Sequence, residues 1–173
     1  MKDRLIMLLT SDLKNLFLYP ERRHRGEHQN HFTTDILDGL TWKSFEECCN
    51  KELNERLLGL QWCWDGADIF NKGSGTSFWP GCFSILNFPI DLRSKMHIGL
   101  HLNTLCGGFD ASLRLMIEEL KLLWNHGLLV NGITWKVAMI NGVWDGKGFE
   151  GVTRTQGSNS LYGCNVCRFP GKY

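Results

Sequence analysis

Residues 56–66 read RLLGLQWCWDG, a nine-residue apolar run that ends in the dipeptide Asp65-Gly66. A run of this length, rich in Leu and Trp and bounded by a turn dipeptide, predicts a strand buried in a sheet. The arrangement recurs near the end of the chain, where GITWKVAMINGVW (132–144) is followed by Asp145. Each aspartate is preceded by tryptophan and followed by glycine. The sequence therefore predicts two strands that each carry a carboxylate just past the carboxyl end.

Two further strands and a helix are predicted between these runs. SFWPGCFSILNF (77–88) and KMHIGLHLN (95–103) read as strands, and Pro80 favours an edge position or a bulge in the first of them. The connections are short, so an antiparallel meander is the economical arrangement. The following segment predicts a helix with Asp110 as N-cap and Gly127 as C-cap. Its apolar face comprises Leu113, Met116, Ile117, Leu120, Leu123 and Trp124.

A meander, a helix and a returning fourth strand together predict an α/β layer. In the N-terminal part, residues 1–18 and 43–53 have helical spacing, and residues 147–157 are weakly helical. Between the first two lies a polar, basic loop, YPERRHRGEHQNH (19–31). Its histidines, and the aspartates shortly after it, are interpreted as solvated and turn residues rather than metal ligands; they are His24, His28, His31, Asp35 and Asp38.

Composition places the chain among ordinary globular proteins. Its 173 residues suffice for one domain, with 43% apolar and 21% charged residues. A net charge of +1 indicates no global attraction to nucleic acid or membrane, so any polyanion site must be local. No apolar run approaches the roughly 20 residues of a membrane span, and the N-terminus lacks a signal-peptide pattern. We therefore expect an intracellular protein, nuclear or cytoplasmic and not secreted.

Cysteine usage also favours a reducing compartment. The seven cysteines are odd in number and irregularly spaced, which indicates no disulfide framework. Cys63 and Cys82 fall inside apolar runs and are interpreted as small buried hydrophobes. Cys164 and Cys167 form a Cys-x-x-Cys pair, which supplies two of the four ligands of a structural zinc. A redox pair is the alternative, although no thioredoxin-like strand–helix junction precedes it.

The two strand-end aspartates have two interpretations. If their strands are neighbours, two carboxylates at one edge would repel unless a cation lay between them, and Mg²⁺ prefers such ligands. Paired ions about 4 Å apart activate a water or hydroxyl and stabilise the leaving oxygen of a phosphodiester. Alternatively, Asp-Gly is a common turn dipeptide, and each pair simply ends its strand.

Five motifs in order resemble the transposase domain of CACTA-type DNA transposons. They are TDILDG (34–39), WCWDGADIFNKGSGTSFWPGCFSILNFP with IDLR (62–93), IEELKLLWNHG (117–127), INGVWDG (140–146) and YGCNVCRFPGKY (162–173). The resemblance covers about residues 32–173. It implies a ribonuclease H-like fold and metal-dependent DNA cleavage and strand transfer by three acidic residues.

Carried over by position, the resemblance makes Asp65 the first acid and Asp145 the second. It places Cys164 and Cys167 at the start of a zinc-binding insertion that precedes the third acid. No residue of this sequence matches that third acid, since Glu150 is too near Asp145. Glu118 and Glu119 lie on the earlier helix. After the second acid the family has a small residue and Pro, whereas this chain has Gly-Lys-Gly at 146–148.

The resulting expectation divides the chain at 1–54 (N-terminal helical and loop extension), 55–163 (partial ribonuclease H-like core) and 164–173 (start of the Cys-x-x-Cys insertion). The complete parent would bind Mg²⁺ or Mn²⁺, with Zn²⁺ at the Cys-x-x-Cys insertion, and act on DNA at transposon ends. This chain is expected to be an inactive fragment that has no membrane partner. The alternatives are a non-catalytic, domesticated remnant that binds DNA or a protein, and an unrelated nuclease or phosphatase that uses the same aspartates.

Overall fold

The computed structural model describes residues 1–21, 35–64, 79–93, 102–104, 109–144 and 146–153. In this part of the chain five strands form one mixed sheet in the order β3-β2-β1-β5-β4. They are β1 (Glu55–Trp64), β2 (Trp79–Ile85), β3 (Leu102–Thr104), β4 (Leu128–Val130) and β5 (Ile133–Trp144). The helices are α1 (Lys2–Thr10), α2 (Leu40–Glu47), α3 (Ile90–Arg93), α4 (Phe109–His126) and α5 (Gly146–Thr153), with 3₁₀ helices at Asp12–Leu18 and Ile36–Asp38. The predicted α/β class is confirmed.

The centre of the sheet is a parallel pair, β1 and β5. Their ladder runs from Glu55 opposite Thr134 to Trp64 opposite Trp144. Parallel neighbours require a crossover, and α4 lies in the long connection between the two strands. The two longest apolar runs of the sequence are therefore adjacent in the sheet.

A bulge in β5 interrupts this ladder. Leu60 lies opposite Met139, but the next residue, Gln61, lies opposite Asn141, so Ile140 is the extra residue. A bulge shifts the register by one and changes the face to which the following side chains point. After the bulge, the described ladder continues in the new register as far as Trp64 opposite Trp144.

The meander of β1, β2 and β3 is antiparallel throughout. Since β2 lies between β1 and β3, the expected edge position of Pro80 is wrong. Pro80 lies opposite Asn103 of β3, and the described ladder between β2 and β1 runs from Gly81 opposite Trp64 to Ile85 opposite Leu60. Of the third strand expected over residues 95–103, the end is present as β3 (Leu102–Thr104), and residues 95–101 lie outside the described residues.

The strand β4 is an element that the sequence patterns did not predict. It forms a hairpin with the first three residues of β5, through a tight turn in which Asn131 and Gly132 have φ of 51° and 75°. Positive φ at both central residues is the requirement of a type I′ hairpin turn. Beyond Trp135, no described strand pairs with the outer edge of β5.

The N-terminal helical segment is broken rather than continuous over 1–18. The α-helix ends at Thr10, and Ser11 takes an extended conformation with ψ of 175°. The hydroxyl of Ser11 accepts a hydrogen bond from Leu13 N at 3.2 Å and caps the 3₁₀ helix that follows. Serine offers the backbone this local alternative to helix continuation, which apolar spacing alone does not reveal.

Both faces of the sheet are covered, mainly by the helices of the chain. Alternate residues of β1, Leu58, Leu60, Trp62 and Trp64, face the larger cluster, which contains α1, Phe17 and the apolar side of α4. Leu57 faces the smaller cluster, built around Trp42 of α2. Segment 1–54 thus supplies packing to both sides of the sheet.

Asn87, just after β2, connects these layers. Its side chain is 1% exposed. The Nδ2 amide donates to the carbonyls of Leu57 (2.9 Å) and Phe17 (3.3 Å), and Oδ1 accepts from Gly59 N at 2.9 Å. One buried amide therefore ties the 3₁₀ helix, β1 and the end of β2 together, with its polar atoms satisfied.

The best predicted helix is present with a shifted start. α4 begins at Phe109, so the expected N-cap Asp110 lies inside the helix. Gly127 ends the helix as predicted, with φ of 70° and its amide bonded to Leu123 O at 3.1 Å. Ile117, expected on the buried face, is 42% exposed.

We expect Gly59→Ala to destabilise the fold. An added Cβ would lie 2.3 Å from Trp42 Cζ3 and 3.0 Å from Ile140 Cγ1, so the core must shift. Overpacking of this kind lowers the free energy of unfolding by about 1–3 kcal/mol, measurable by urea denaturation. In the Gly59→Ala background, Trp42→Phe should cost less than it does alone, because the smaller ring vacates the clash. Strictly additive effects would contradict this packing.

Candidate functional site: the carboxyl edge of two parallel strands

The paired carboxyl ends of β1 and β5 are the feature to which the sequence analysis pointed. The last residue of each strand, Trp64 and Trp144, lies opposite the other in the ladder. The predicted acids Asp65 and Asp145 come next in the chain and lie outside the described residues, as do Cys164 and Cys167. The structure describes the residues of β1 and β5 that precede these acids and the side chains that pack against them.

An aromatic cluster underlies the edge on one face of the sheet. Trp62 packs against Trp64, Phe83 and Trp144, with ring centroids 4.7, 6.2 and 5.5 Å away. Phe149 of α5 contacts Trp144 at 6.2 Å. Trp62 and Trp64 are 2% and 3% exposed, so the last residues of β1 pack in an aromatic cluster that is shielded from water.

The indole of Trp144 lies back across its own strand. A Cβ on Gly142 would be 1.4 Å from Trp144 Cζ3, so the ring occupies the space that a side chain would need. Trp62 and Trp144 each bury an Nε1–H that has no hydrogen-bond partner in the described part of the chain. Two buried donors beside the strand ends therefore lack an acceptor there.

The opposite face of the same region is polar. Gln61 and Asn141 lie opposite each other after the bulge, and Asn141 Nδ2 donates to Gln61 Oε1 at 3.4 Å. The thiol of Cys63 follows on this face, at 3.6 Å from Gln61 Nε2. Near the carboxyl ends of β1 and β5, one face of the sheet is therefore aromatic, and the other carries half-buried polar side chains.

Asp35 and Asp38 are turn residues, as predicted. They form a reciprocal capping box around Ile36–Asp38, in which Asp35 Oδ1 accepts from Leu37 N at 3.3 Å and Asp38 Oδ2 accepts from Asp35 N at 3.0 Å. The Asp35 carboxylate also accepts hydrogen bonds from Nη1 and Nη2 of Arg93, at 2.6 and 3.0 Å. Arg93 Nε donates to Phe88 O at 2.6 Å.

This bidentate pair joins two of the quoted motifs, TDILDG and IDLR. The side chains of Asp35 and Arg93 are 1% and 11% exposed, so the charges are withdrawn from water and matched to each other. The sequence analysis assigned Arg93 no role. A single arginine after a predicted strand does not indicate that it forms an ion pair with a residue 58 positions away.

The other acids considered earlier are occupied by structural contacts. Glu119 accepts from Lys2 N at 2.9 Å and pairs with the Met1 ammonium at 3.0 Å, and Glu118 pairs with Lys121 at 2.9 Å. His24, His28 and His31 lie outside the described residues. Within the described ranges, no group of three His, Cys, Asp or Glu side chains is arranged to hold a metal ion.

A cavity of about 540 Å³ lies around the amino ends of β1 and β5, away from the carboxyl edge. Two ion pairs lie at this cavity: Arg56 pairs with Glu21, and Glu55 pairs with Lys136 at 3.3 Å. The backbone N–H of Asn50, followed by Lys136, lowers the pKa of Glu55.

The thiol in that cavity is unreactive at neutral pH. Burial, followed by the charge of Glu55, raises the pKa of Cys49 to about 11. A protonated thiol is neither a nucleophile nor a metal ligand. Two of the ion pairs at this cavity and its thiol therefore have a structural explanation.

No family model, no curated protein and no solved structure matches this chain.

We expect Arg93→Ala to be one of the most damaging single substitutions outside the apolar core. It would leave the Asp35 carboxylate buried without its guanidinium, which costs about 3–5 kcal/mol of unfolding free energy. Arg93→Lys should recover only part of this free energy. Lysine keeps the positive charge, but its ammonium cannot make the bidentate contact.

The matched control is Lys121→Ala, which removes a cation from an exposed pair with Glu118 and should cost no more than about 1 kcal/mol. Urea denaturation of the three variants measures the difference. Equal costs for Arg93→Ala and Lys121→Ala would show that the Asp35–Arg93 pair is not a structural determinant.

Proposed function

We propose that this chain carries a partial ribonuclease H-like catalytic core, similar to that of CACTA-type transposases. Asp65 and Asp145 would hold Mg²⁺ or Mn²⁺ for cleavage of DNA phosphodiesters. The observation that carries the proposal is the parallel pairing of β1 with β5, which ends with Trp64 opposite Trp144. Each proposed acid is the next residue after one member of that pair.

The covalent geometry makes a shared site reasonable. Neighbouring strands lie about 4.8 Å apart, and one trans peptide bond separates consecutive Cα atoms by about 3.8 Å. Carboxylates attached so close to paired positions would repel each other in the absence of a cation. A hard divalent ion, bound by carboxylate oxygens and water, relieves that repulsion.

The connectivity also supports the proposal. A ribonuclease H-like core has an antiparallel meander of three strands, then a helix, then a fourth strand parallel to the first. The described chain has this succession in β1, β2, β3, α4 and β5, with the short hairpin strand β4 as an addition. The order β3-β2-β1-β5 brings the first and fourth strands side by side.

The local chemistry fits a carboxylate site. Buried indole N–H groups of Trp62 and Trp144 lack acceptors among the described residues, and carboxylate oxygens are acceptors of the type that they require. Such outer contacts orient metal-binding carboxylates. The aromatic base of the edge would exclude water from one side of the site.

When bound, the metal ion would activate the attacking oxygen and stabilise the leaving oxygen of the phosphodiester. The role of this chain's residues is to hold the ion and fix the strand ends. We propose Cys164 and Cys167 as two of four ligands of a zinc site. Only two of the three acids implied by the resemblance have a match here, so we expect metal binding with little or no cleavage.

We expect Mn²⁺ to bind weakly to the wild-type protein and at least tenfold more weakly to Asp65→Asn and to Asp145→Asn, a loss of about 1.4 kcal/mol each. Removing one carboxylate removes both a ligand and the repulsion that favours cation binding. Electron paramagnetic resonance of free Mn²⁺ measures the affinity. Asp91→Asn, an exposed acid on α3, is the charge-matched control.

The same variants should be tested for nicking of supercoiled plasmid in Mg²⁺ or Mn²⁺. Unchanged Mn²⁺ affinity in both Asp65→Asn and Asp145→Asn would overturn the proposed site. Efficient metal-dependent nicking that is lost in Asp65→Asn would support the site while contradicting the expected inactivity of the chain.

A further inference from the structure

Two cysteines face each other across the antiparallel pair β1–β2. Cys63 lies directly opposite Cys82 in the ladder, so the two side chains project from the same face of the sheet. Opposite Cα atoms in antiparallel strands are about 4.5 or 5.5 Å apart, and both separations fall within the range found for disulfides. Both residues were expected to be small buried hydrophobes; they are instead only partly buried, and they lie opposite each other.

The two thiols are neither fully buried nor oxidised. Both are free and partly exposed, unlike Cys49, which is buried. Burial raises the pKa of Cys82, and the adjacent Cys63 thiol raises it further through its charge and a hydrogen bond. The thiols are therefore close enough to interact, and solvent reaches both.

The ladder fixes which kind of cross-strand pair this is. Leu86 N donates to Gly59 O at 2.9 Å, which makes their position a hydrogen-bonded one. Hydrogen-bonded and non-hydrogen-bonded positions alternate along antiparallel strands, so Cys63–Cys82, four residues on, is again hydrogen-bonded. Cβ atoms are farther apart at such positions than the mean of about 3.8 Å in disulfides. A bond formed here would draw the strands together and would be easily reduced.

We propose that Cys63 and Cys82 form a reversible cross-strand disulfide, a redox modification site that fastens β2 to β1 one residue before the end of β1. The oxidant is a low-molecular-mass disulfide. The thiolate of one cysteine attacks a sulfur of that disulfide, forms a mixed disulfide and releases one small thiol. The second cysteine then attacks the protein-bound sulfur and releases the second small thiol.

The exchange is balanced. Both cysteine sulfurs are oxidised, together losing two electrons and two protons, and the small disulfide is reduced to two thiols. The proposal depends only on the register of β1 and β2 and is independent of any metal chemistry at the strand ends.

The test uses the whole chain and oxidised glutathione at about pH 8, because mildly alkaline solution increases the thiolate fraction that attacks the small disulfide. After free thiols are blocked with iodoacetamide, trypsin is applied. Cleavage after Arg56, Lys72 and Arg93 places Cys63 and Cys82 on separate peptides. We expect a linked pair of these peptides, two hydrogens lighter than their sum, which dithiothreitol separates. A series of glutathione redox ratios then gives the midpoint.

Single variants make the test decisive even if oxidation affects folding. Cys63→Ser and Cys82→Ser should each retain a glutathione adduct on the remaining cysteine, because the resolving thiol is gone. Cys48→Ser, at an exposed cysteine on another element, should leave the linked peptide unchanged. The proposal is overturned if both cysteines are alkylated in the folded, glutathione-treated protein, or if either is linked mainly to a different cysteine.

Discussion

The parallel pairing of β1 with β5 is the constraint on which the rest of this structure depends. It joins segments about 80 residues apart in the sequence and places the two most apolar strands at the centre of the sheet. β2 and β3 extend the sheet from β1, and β4 extends it from β5. Contacts so distant in sequence carry a loop-closure cost, which the burial of residues such as Leu58, Leu60 and Val137 must offset.

The bulge at Ile140 adapts this pairing to both faces of the sheet. Before the bulge, Ala138 lies opposite Gly59. Because Gly59 has no side chain, the ring of Trp42 packs directly against its backbone. After the bulge, Trp144 lies on the same face as Trp62, and their rings meet. Without the extra residue, the alternation of β5 would turn Trp144 away from the aromatic cluster. One inserted residue thus serves the packing of both layers.

The helices and strands were easier to predict from the sequence than the contacts between them. Long apolar runs and helical spacing gave β1, β5 and α4, since these signals are local. The bulge, the Cys63–Cys82 register and the Asp35–Arg93 pair depend on which residues meet across the fold, and no local pattern encodes that. β4 was missed because three residues before an Asn-Gly turn are too short a run to stand out. For the candidate site, the two acids were predictable from the sequence, and the structure shows that the strands preceding them are neighbours.

The residues of the quoted motifs fall into two groups, those whose contacts stabilise the fold and those for which a functional role is proposed. Asp35, Asn87 and Arg93 have buried polar partners within the fold, so structure alone explains them. The two Asp-Gly dipeptides differ, because a turn requires only that its own strand should end. A turn role for Asp65 places no condition on where β5 ends, and a turn role for Asp145 places none on β1. Trp64 lies opposite Trp144 in the ladder, so the two Asp-Gly dipeptides follow paired positions of neighbouring strands, and the proposed shared metal site rests on that adjacency.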